Sequence, residues 1–369
     1  MNRIYIYITK RFLIKFVAVA SAISSLIFIV NLSDIFGKLD KVKEQIFWYT
    51  PFSMAALQVP AFVEDVSIFM VLVAAILTLY NLSMKSEITV MRCSGLSLWN
   101  VLFPLIISSF TLGLFFILVF NPLTIASEKK FHKMEQQLIE NKDLNILAPK
   151  DGIWLRQKNI LKDGEIIIIR AKMIYKENLH LQDVNLWFYD KDGVFYKKID
   201  VRNMFLNNYF WHLEKAVIND DLNINKNIEE LDILTNLKSD FIVDKIINNF
   251  EDAKSFSIFS LPGIIKDSQE SGFASRKFIV YYNLLLNKPL MFAAMVIMAA
   301  VFSINNIRNK NNILYILIGI ICGLILYVSS TVISAFGSSG IIPPFIATWV
   351  VTVIILTAVI LAAFKKEQF

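Results

Sequence analysis

Long apolar runs with short polar breaks fill both ends of the chain, and a more polar stretch separates them. A helix that crosses a bilayer needs about 20 mostly apolar residues. Six runs reach that length, at roughly residues 12–33, 60–82, 100–122, 279–304, 313–336 and 342–364. The pattern predicts a membrane α protein with three transmembrane helices, a long insert and three more transmembrane helices. The insert has a different period. GEIIIIRAKMIY reads as a buried strand, and VNLWFYDKDGVFYKKI as two strands around an Asp-Gly turn. MFLNNYFWHLEKAVI predicts another hairpin, around Asn207-Asn208. Short strands with regular turns favour an all-β sandwich or jelly-roll. FSIFSLPGIIKDSQESGF reads as a short amphipathic segment entering the fourth span. The expected order is residues 1–124 with three spans, an all-β domain at 125–275, and 276–369 with three more.

Composition agrees with the membrane reading. Of 369 residues, 56% are hydrophobic, against about 45–50% in soluble domains. Mean hydropathy is +0.54 and the pI about 9.0. A net charge of +6 in such a chain marks cytoplasmic loops or an anionic lipid partner. With no aromatic-basic face, no nucleic acid is expected as a partner. Cys93 and Cys322 both lie outside the insert, so its stability is expected to come from its own core. The N-terminal MNRIYIYITKRFLIKF has the flavour of a signal peptide. Its apolar run reaches Val30 without a small-residue cleavage site, so it is expected to be a retained first span.

Lysine and arginine in the short loops set the orientation. One side carries Arg3, Lys10, Arg11, Lys85, Arg92, Arg308, Lys310, Lys365 and Lys366. The other carries Lys38, Lys41 and Lys43, diluted by Asp34, Asp40 and Glu44. The first side is expected to be cytoplasmic, with both termini, and the insert lies outside.

Between the second and third spans stands MKSEITVMRCSGLS, residues 84–97. Ser86 is placed to cap a helix, and Glu87 falls in the first turn, where the helix dipole favours an acid. Gly95 suits a helix stop. Ile88, Met91 and Gly95 share one face by spacing. Two readings remain open on these residues: a wet, capped connector, or a helix that docks on a cytoplasmic partner. The chain has no GxxxxGK[ST], HExxH or CxxC, and no nucleophile-base pair, so it is not expected to be an enzyme. His132, His180 and His212 are scattered along the sequence, and no metal site is expected. Glu64 and Asp65 open the second span and are expected to pair with lysines. Lys288, beside Pro289, either faces a cavity or pairs with an acid.

SEITVMRCSGLS resembles the loop after the second span in lipopolysaccharide-export permeases of the LptF/LptG family. DGIWLRQKN, NKPL at 287–290 and IIPPFIATWV are further points of likeness. GIWLR and PPFIATW resemble the LptG branch more than the LptF branch. The resemblance implies six transmembrane helices with an extracytoplasmic β-jelly-roll between the third and fourth. It implies a non-catalytic permease subunit in the inner membrane. Its partners would be a cytoplasmic ABC ATPase dimer that holds ATP and Mg, a paralogous six-span permease, and a single-span periplasmic jelly-roll accessory protein. No cofactor is expected in this chain.

Carried over by position, Ser86, Glu87, Met91, Arg92 and Gly95 form the ATPase-coupling surface. Lipopolysaccharide would meet cations at the outer face: Lys38, Lys41 and Lys43 after the first span, and Lys129, Lys130 and Lys133 after the third. The plain alternative for each lysine is snorkelling to headgroups. Trp187, Phe188, Phe195, Phe205 and Phe210 either line an acyl groove in the β-domain or form its core. A second reading of the whole chain is a membrane-anchored sensor or assembly factor whose β-domain binds a ligand.

Overall fold

A computed structural model describes residues 2–39, 47–135, 138, 146–147, 153–158, 165–175, 180–207, 210–220, 226–234, 253–270, 275–303 and 312–367. The chain divides into two compact units: Met1–Ile139 with Ala253–Pro262 and Arg276–Phe369, and Glu140–Asp252 with Gly263–Ser275.

The first unit is helical: α1 (Asn2–Leu39), α2 (Thr50–Met84), α3 (Glu87–Cys93), α4 (Leu98–Phe115) and α5 (Asn121–Glu135) precede the insert. After it come α6 (Leu261–Glu270), where the amphipathic segment was expected and whose residues from Gly263 on belong to the second unit, then α7 (Arg276–Ser303), α8 (Asn312–Ser339) and α9 (Pro344–Glu367). Five helices among the described residues are long and apolar enough to cross a membrane, and α9 adds an apolar stretch over Pro344–Ala358. The helices outrun the apolar runs. The 38 residues of α1 make roughly 57 Å, against a hydrocarbon core of about 30 Å. α2 begins at Thr50, with a proline in its first turn. Glu64 therefore lies well inside a helix, not at its start.

The third span is not uniform. α4 passes into a π-helical turn, Phe116–Phe120, and then into α5. A π turn accommodates an extra residue and re-aims the helix beyond it. Asn121, fully buried, comes directly after it.

The core of this unit is α7, buried over every residue from Met291 to Ala300. Its most apolar window is 78% enclosed, whereas those of α1 and α8 are only 11% and 17% enclosed. Small residues allow the tight packing. A side chain on Gly113 of α4 would place its Cβ 2.5 Å from the Pro289 Cα, so only glycine permits that approach. Pro289 itself sits inside a continuous α7. Two of the sequence motifs meet here. Asn287 donates to the Thr348 carbonyl at 2.8 Å and to Thr352 Oγ1 at 2.5 Å. Trp349 Nε1 donates to Asn283 Oδ1 at 3.3 Å.

The described strands of the second unit are all antiparallel: β1 (Ile146–Leu147), β2 (Ile153–Lys158), β3 (Ile166–Tyr175), β4 (His180–Tyr189), β5 (Phe195–Asn207), β6 (Phe210–Asp220) and β7 (Lys226–Leu234). β3 to β7 pair in sequence order, and β1 and β2 both pair with β3. Apart from β1, which pairs with β3, the described strands pair with sequence neighbours in one sheet. The Asp-Gly turn is present: Asp190 Oδ1 accepts from the Asp192 and Val194 amides, and Gly193 takes a φ of +78°. Asn207 pairs with Phe210, so β5 and β6 form the second expected hairpin.

One feature of this sheet breaks simple alternation. Leu181 and Val184, Val201 and Met204, and Leu213 and Ala216 are all buried, although each pair is three residues apart. Ile228 and Leu231 pack on the same cluster. The register places these pairs side by side across β4 to β7. Side chains three apart on a regular strand face opposite ways. The pleat must therefore reverse along a line crossing the sheet. In β4 and β6 the residue at that line, Asp183 or Lys215, is left-handed, with φ of 51° and 55°. Both halves of the sheet can then bury apolar residues on one face. Trp211, fully buried, anchors that face and donates from Nε1 to Gln157 Oε1 at 3.2 Å. Truncating it to alanine would cost about 3–5 kcal/mol.

Candidate functional site

The segment 84–97 is a short helix held at both ends. α2 ends at Met84, and α3 covers only Glu87–Cys93. Ser86 occupies the N-cap position with a left-handed φ of 56° and makes no side-chain capping bond. A capping serine is normally in the extended region, where its Oγ reaches the amides ahead; here the sharp turn out of α2 precludes it. The C-terminus agrees with the sequence reading. Gly95 has φ +88°, its amide bonds the Arg92 carbonyl at 3.0 Å, and the Leu96 amide bonds the Met91 carbonyl at 3.2 Å. This pair of bonds is a Schellman stop.

Glu87 is not a free acid. Its Oε2 accepts from the Tyr7 hydroxyl at 3.0 Å, and its Oε1 lies 3.1 Å from Arg11 Nη1. The Arg11 guanidinium lies over the Tyr7 ring at 4.5 Å. Glu87 thus ties α3 to α1. Ile88 is buried in the main helical core, and Met91 packs against it. Their shared face looks inward. The outward surface is made by Met84, Thr89, Val90, Arg92 and Cys93, with Val90 66% exposed. The sequence reading did not single out Met84 or Val90, because spacing defines a face without saying which way it turns.

Lys38 at the end of α1 bonds Glu135 Oε1 of α5 at 2.6 Å. This bond draws the Lys38 segment to the helix that carries Lys129, Lys130 and Lys133, all three exposed. Lys129 Nζ lies 5.9 Å from the Phe256 ring centre. Lys41 and Lys43 lie outside the described residues.

The intramembrane charges form a network. Lys288 Nζ lies 3.2 Å from Glu64 Oε1, both buried. Asn121 Nδ2 donates to Glu64 Oε1 at 3.0 Å and to the Tyr281 hydroxyl at 3.1 Å, and its Oδ1 accepts from the Ile258 amide at 3.1 Å. Asp65, the neighbour of Glu64, receives both its bonds from Lys254, at 2.9 and 2.8 Å. The sequence singled out Glu64, Asp65 and Lys288; it carried no signal for Asn121 or Lys254.

In the β unit the five candidate aromatics do not line one surface. Phe188 is core, Trp187 and Phe205 are half-buried, and Phe195 and Phe210 are exposed. Two of the scattered histidines share one cross-strand row. His180 stacks between Tyr175 and Phe205, with ring centres 5.1 and 4.3 Å away. Phe205 pairs in register with His212, whose Nδ1 is 2.6 Å from Asp232 Oδ1. That hydrogen bond raises the His212 pKa above 6.5. Among the described residues no group of His, Cys, Asp and Glu is arranged to hold a metal.

Residues 6–365 match the family described as lipopolysaccharide export system permease LptF/LptG. No curated protein matches the chain.

Proposed function

The chain belongs to the LptF/LptG family of lipopolysaccharide export system permeases, and from that premise we propose that it is the LptG-like transmembrane half of an ATP-driven exporter. It would extract lipopolysaccharide from the inner membrane and pass it along its periplasmic β-domain toward the outer membrane. The family is a transporter component. Hydrolysis would belong to a cytoplasmic ABC ATPase dimer that binds ATP and Mg. A paralogous permease and a single-span periplasmic accessory protein would complete the complex.

The observation that carries this reading is the build of α3. Its exposed residues Val90, Arg92 and Cys93 offer a small surface to a partner. Behind it, Glu87 grips Tyr7 and Arg11 of α1, and Ile88 enters the bundle core. A push on that surface reaches two elements of the bundle at once. A mere connector between spans has no need of either grip. Lys38, Lys129, Lys130 and Lys133, with Lys41 and Lys43, would meet the phosphates of the lipid.

The test is affinity purification of the full chain in mild detergent, with mass spectrometry of the eluate. Co-elution of a P-loop ATPase and a second six-span permease supports the exporter. A preparation that holds neither, even after gentle crosslinking, overturns it in favour of a sensor or assembly factor.

A further inference from the structure

A cleft of about 200 Å³ opens in the helical unit among α2, α5, α7 and the short turn Ala253–Ser255. Three carboxylates, Glu64, Asp65 and Glu128, are among the residues that line it, with Lys254 as the lining lysine. Phe62, Phe131 and Tyr281 supply aromatic walls. Lys288 meets Glu64 from behind the wall. Carboxylates with aromatic faces suit a small organic cation.

Two independent observations point to an ammonium ligand. Thr124 lines the cleft and is only 5% exposed, yet its Oγ1 has no hydrogen-bond partner. A buried hydroxyl without a partner is costly unless something else satisfies it. The second is that an ammonium already sits at the site. Lys254 Nζ bonds both oxygens of Asp65, although its side chain is 55% exposed. An exposed lysine is held weakly, so it is exchangeable.

We propose that this cleft binds the primary ammonium of a lipid headgroup, and that Lys254 is its built-in competitor. The setting favours a lipid: α2, α5 and α7 are parts of long apolar helices. The ammonium would take the place of Lys254 on Asp65, with Thr124 and Glu128 beside it. Displacing Lys254 would loosen the turn Ala253–Ser255, which joins the helical unit next to the Ile258–Asn121 bond. Two sources carry this chemistry: a resident phosphatidylethanolamine, or an amine-bearing lipopolysaccharide. The proposal rests on the membrane spans and the cleft, and it does not depend on the exporter reading.

The experiment is native mass spectrometry of the full-length chain, titrated with phosphatidylethanolamine, phosphatidylglycerol, and lipopolysaccharide with and without amine substituents. Wild type should prefer the amine headgroup over phosphatidylglycerol. Asp65→Asn and Thr124→Val should each weaken that binding about five-fold, and Lys254→Met should strengthen it by a similar factor. The gain in Lys254→Met is a result that misfolding cannot mimic. Displacement of phosphatidylethanolamine by amine-bearing lipopolysaccharide alone assigns the site to cargo, and its persistence assigns the site to a resident lipid; both uphold the proposal. Equal binding of the two phospholipids, or no gain in Lys254→Met, overturns it.

Discussion

Glu64 and Lys288, 224 residues apart in sequence, lie 3.2 Å from each other inside the helical bundle. Their side chains are only 8% and 9% exposed, and each is the other's main compensation. Removing one partner of such a pair strands the other, at on the order of 3–5 kcal/mol. Lys288→Met or Glu64→Gln alone should therefore lower the melting temperature in detergent markedly. The double variant should recover most of the loss, because the amide in place of the Glu64 carboxylate would still accept from Asn121 without needing a cation. If the double variant melts as low as the worse single one, the pair is not the source of the stability.

The Glu87–Arg11 contact should behave differently. Its side chains are 27% and 28% exposed, so the pair is worth no more than about 1 kcal/mol to folding. Glu87→Ala, Arg11→Ala and the double variant should all melt close to wild type. On the proposed function, each single variant lowers lipid-stimulated ATP hydrolysis by the purified complex, and the double is no worse than either single. Strictly additive losses would mean that the two residues act separately.

At Lys215 the backbone outweighs strand propensity. The residue is left-handed, φ 55°, which is tolerated by Asn and Gly and costs a β-branched residue roughly 1–2 kcal/mol. Lys215→Val, favourable by propensity, should speed amide exchange throughout β6. Lys215→Asn should leave it unchanged or slower. The reverse order would show that the pleat reversal does not depend on this conformation.

His212 gives the β-sheet a pH response. Asp232 raises the imidazole pKa above the ordinary 6.5. A pKa raised on folding contributes stability that is complete below the unfolded value and fades as pH climbs through the folded one. Exchange protection of β6 and β7 should therefore be greatest below about 6.5 and decline above it. His212→Gln should remove this dependence, and a profile unchanged by the substitution would assign it to other groups.

Several site features are legible in the sequence alone. Gly95 ends α3 because only glycine takes its left-handed turn cheaply. The Asp-Gly turn closes β4 onto β5 through bonds made within five residues. Other features needed partners. Ile88 and Met91 were visible as one face, but the direction of that face depends on where the core lies. The repeated Leu-Gln-Asp-Val, Val-Arg-Asn-Met and Leu-Glu-Lys-Ala were in plain view. They became a reversal line only when pairing set them side by side.

The sequence by itself determined that this chain has membrane-spanning helices around a β insert, where the charged connector stands, and how that connector stops. Those features come from solvation and local backbone preference, which act over a few residues. Tertiary structure alone decided that Glu64 meets Lys288, that Glu87 is spent on α1, and that Thr124 and Lys254 share a cleft with three carboxylates. A charge in sequence has no partner until the fold supplies one. Residues such as Asn121, whose roles come entirely from groups far along the chain, carry no local pattern by which to find them.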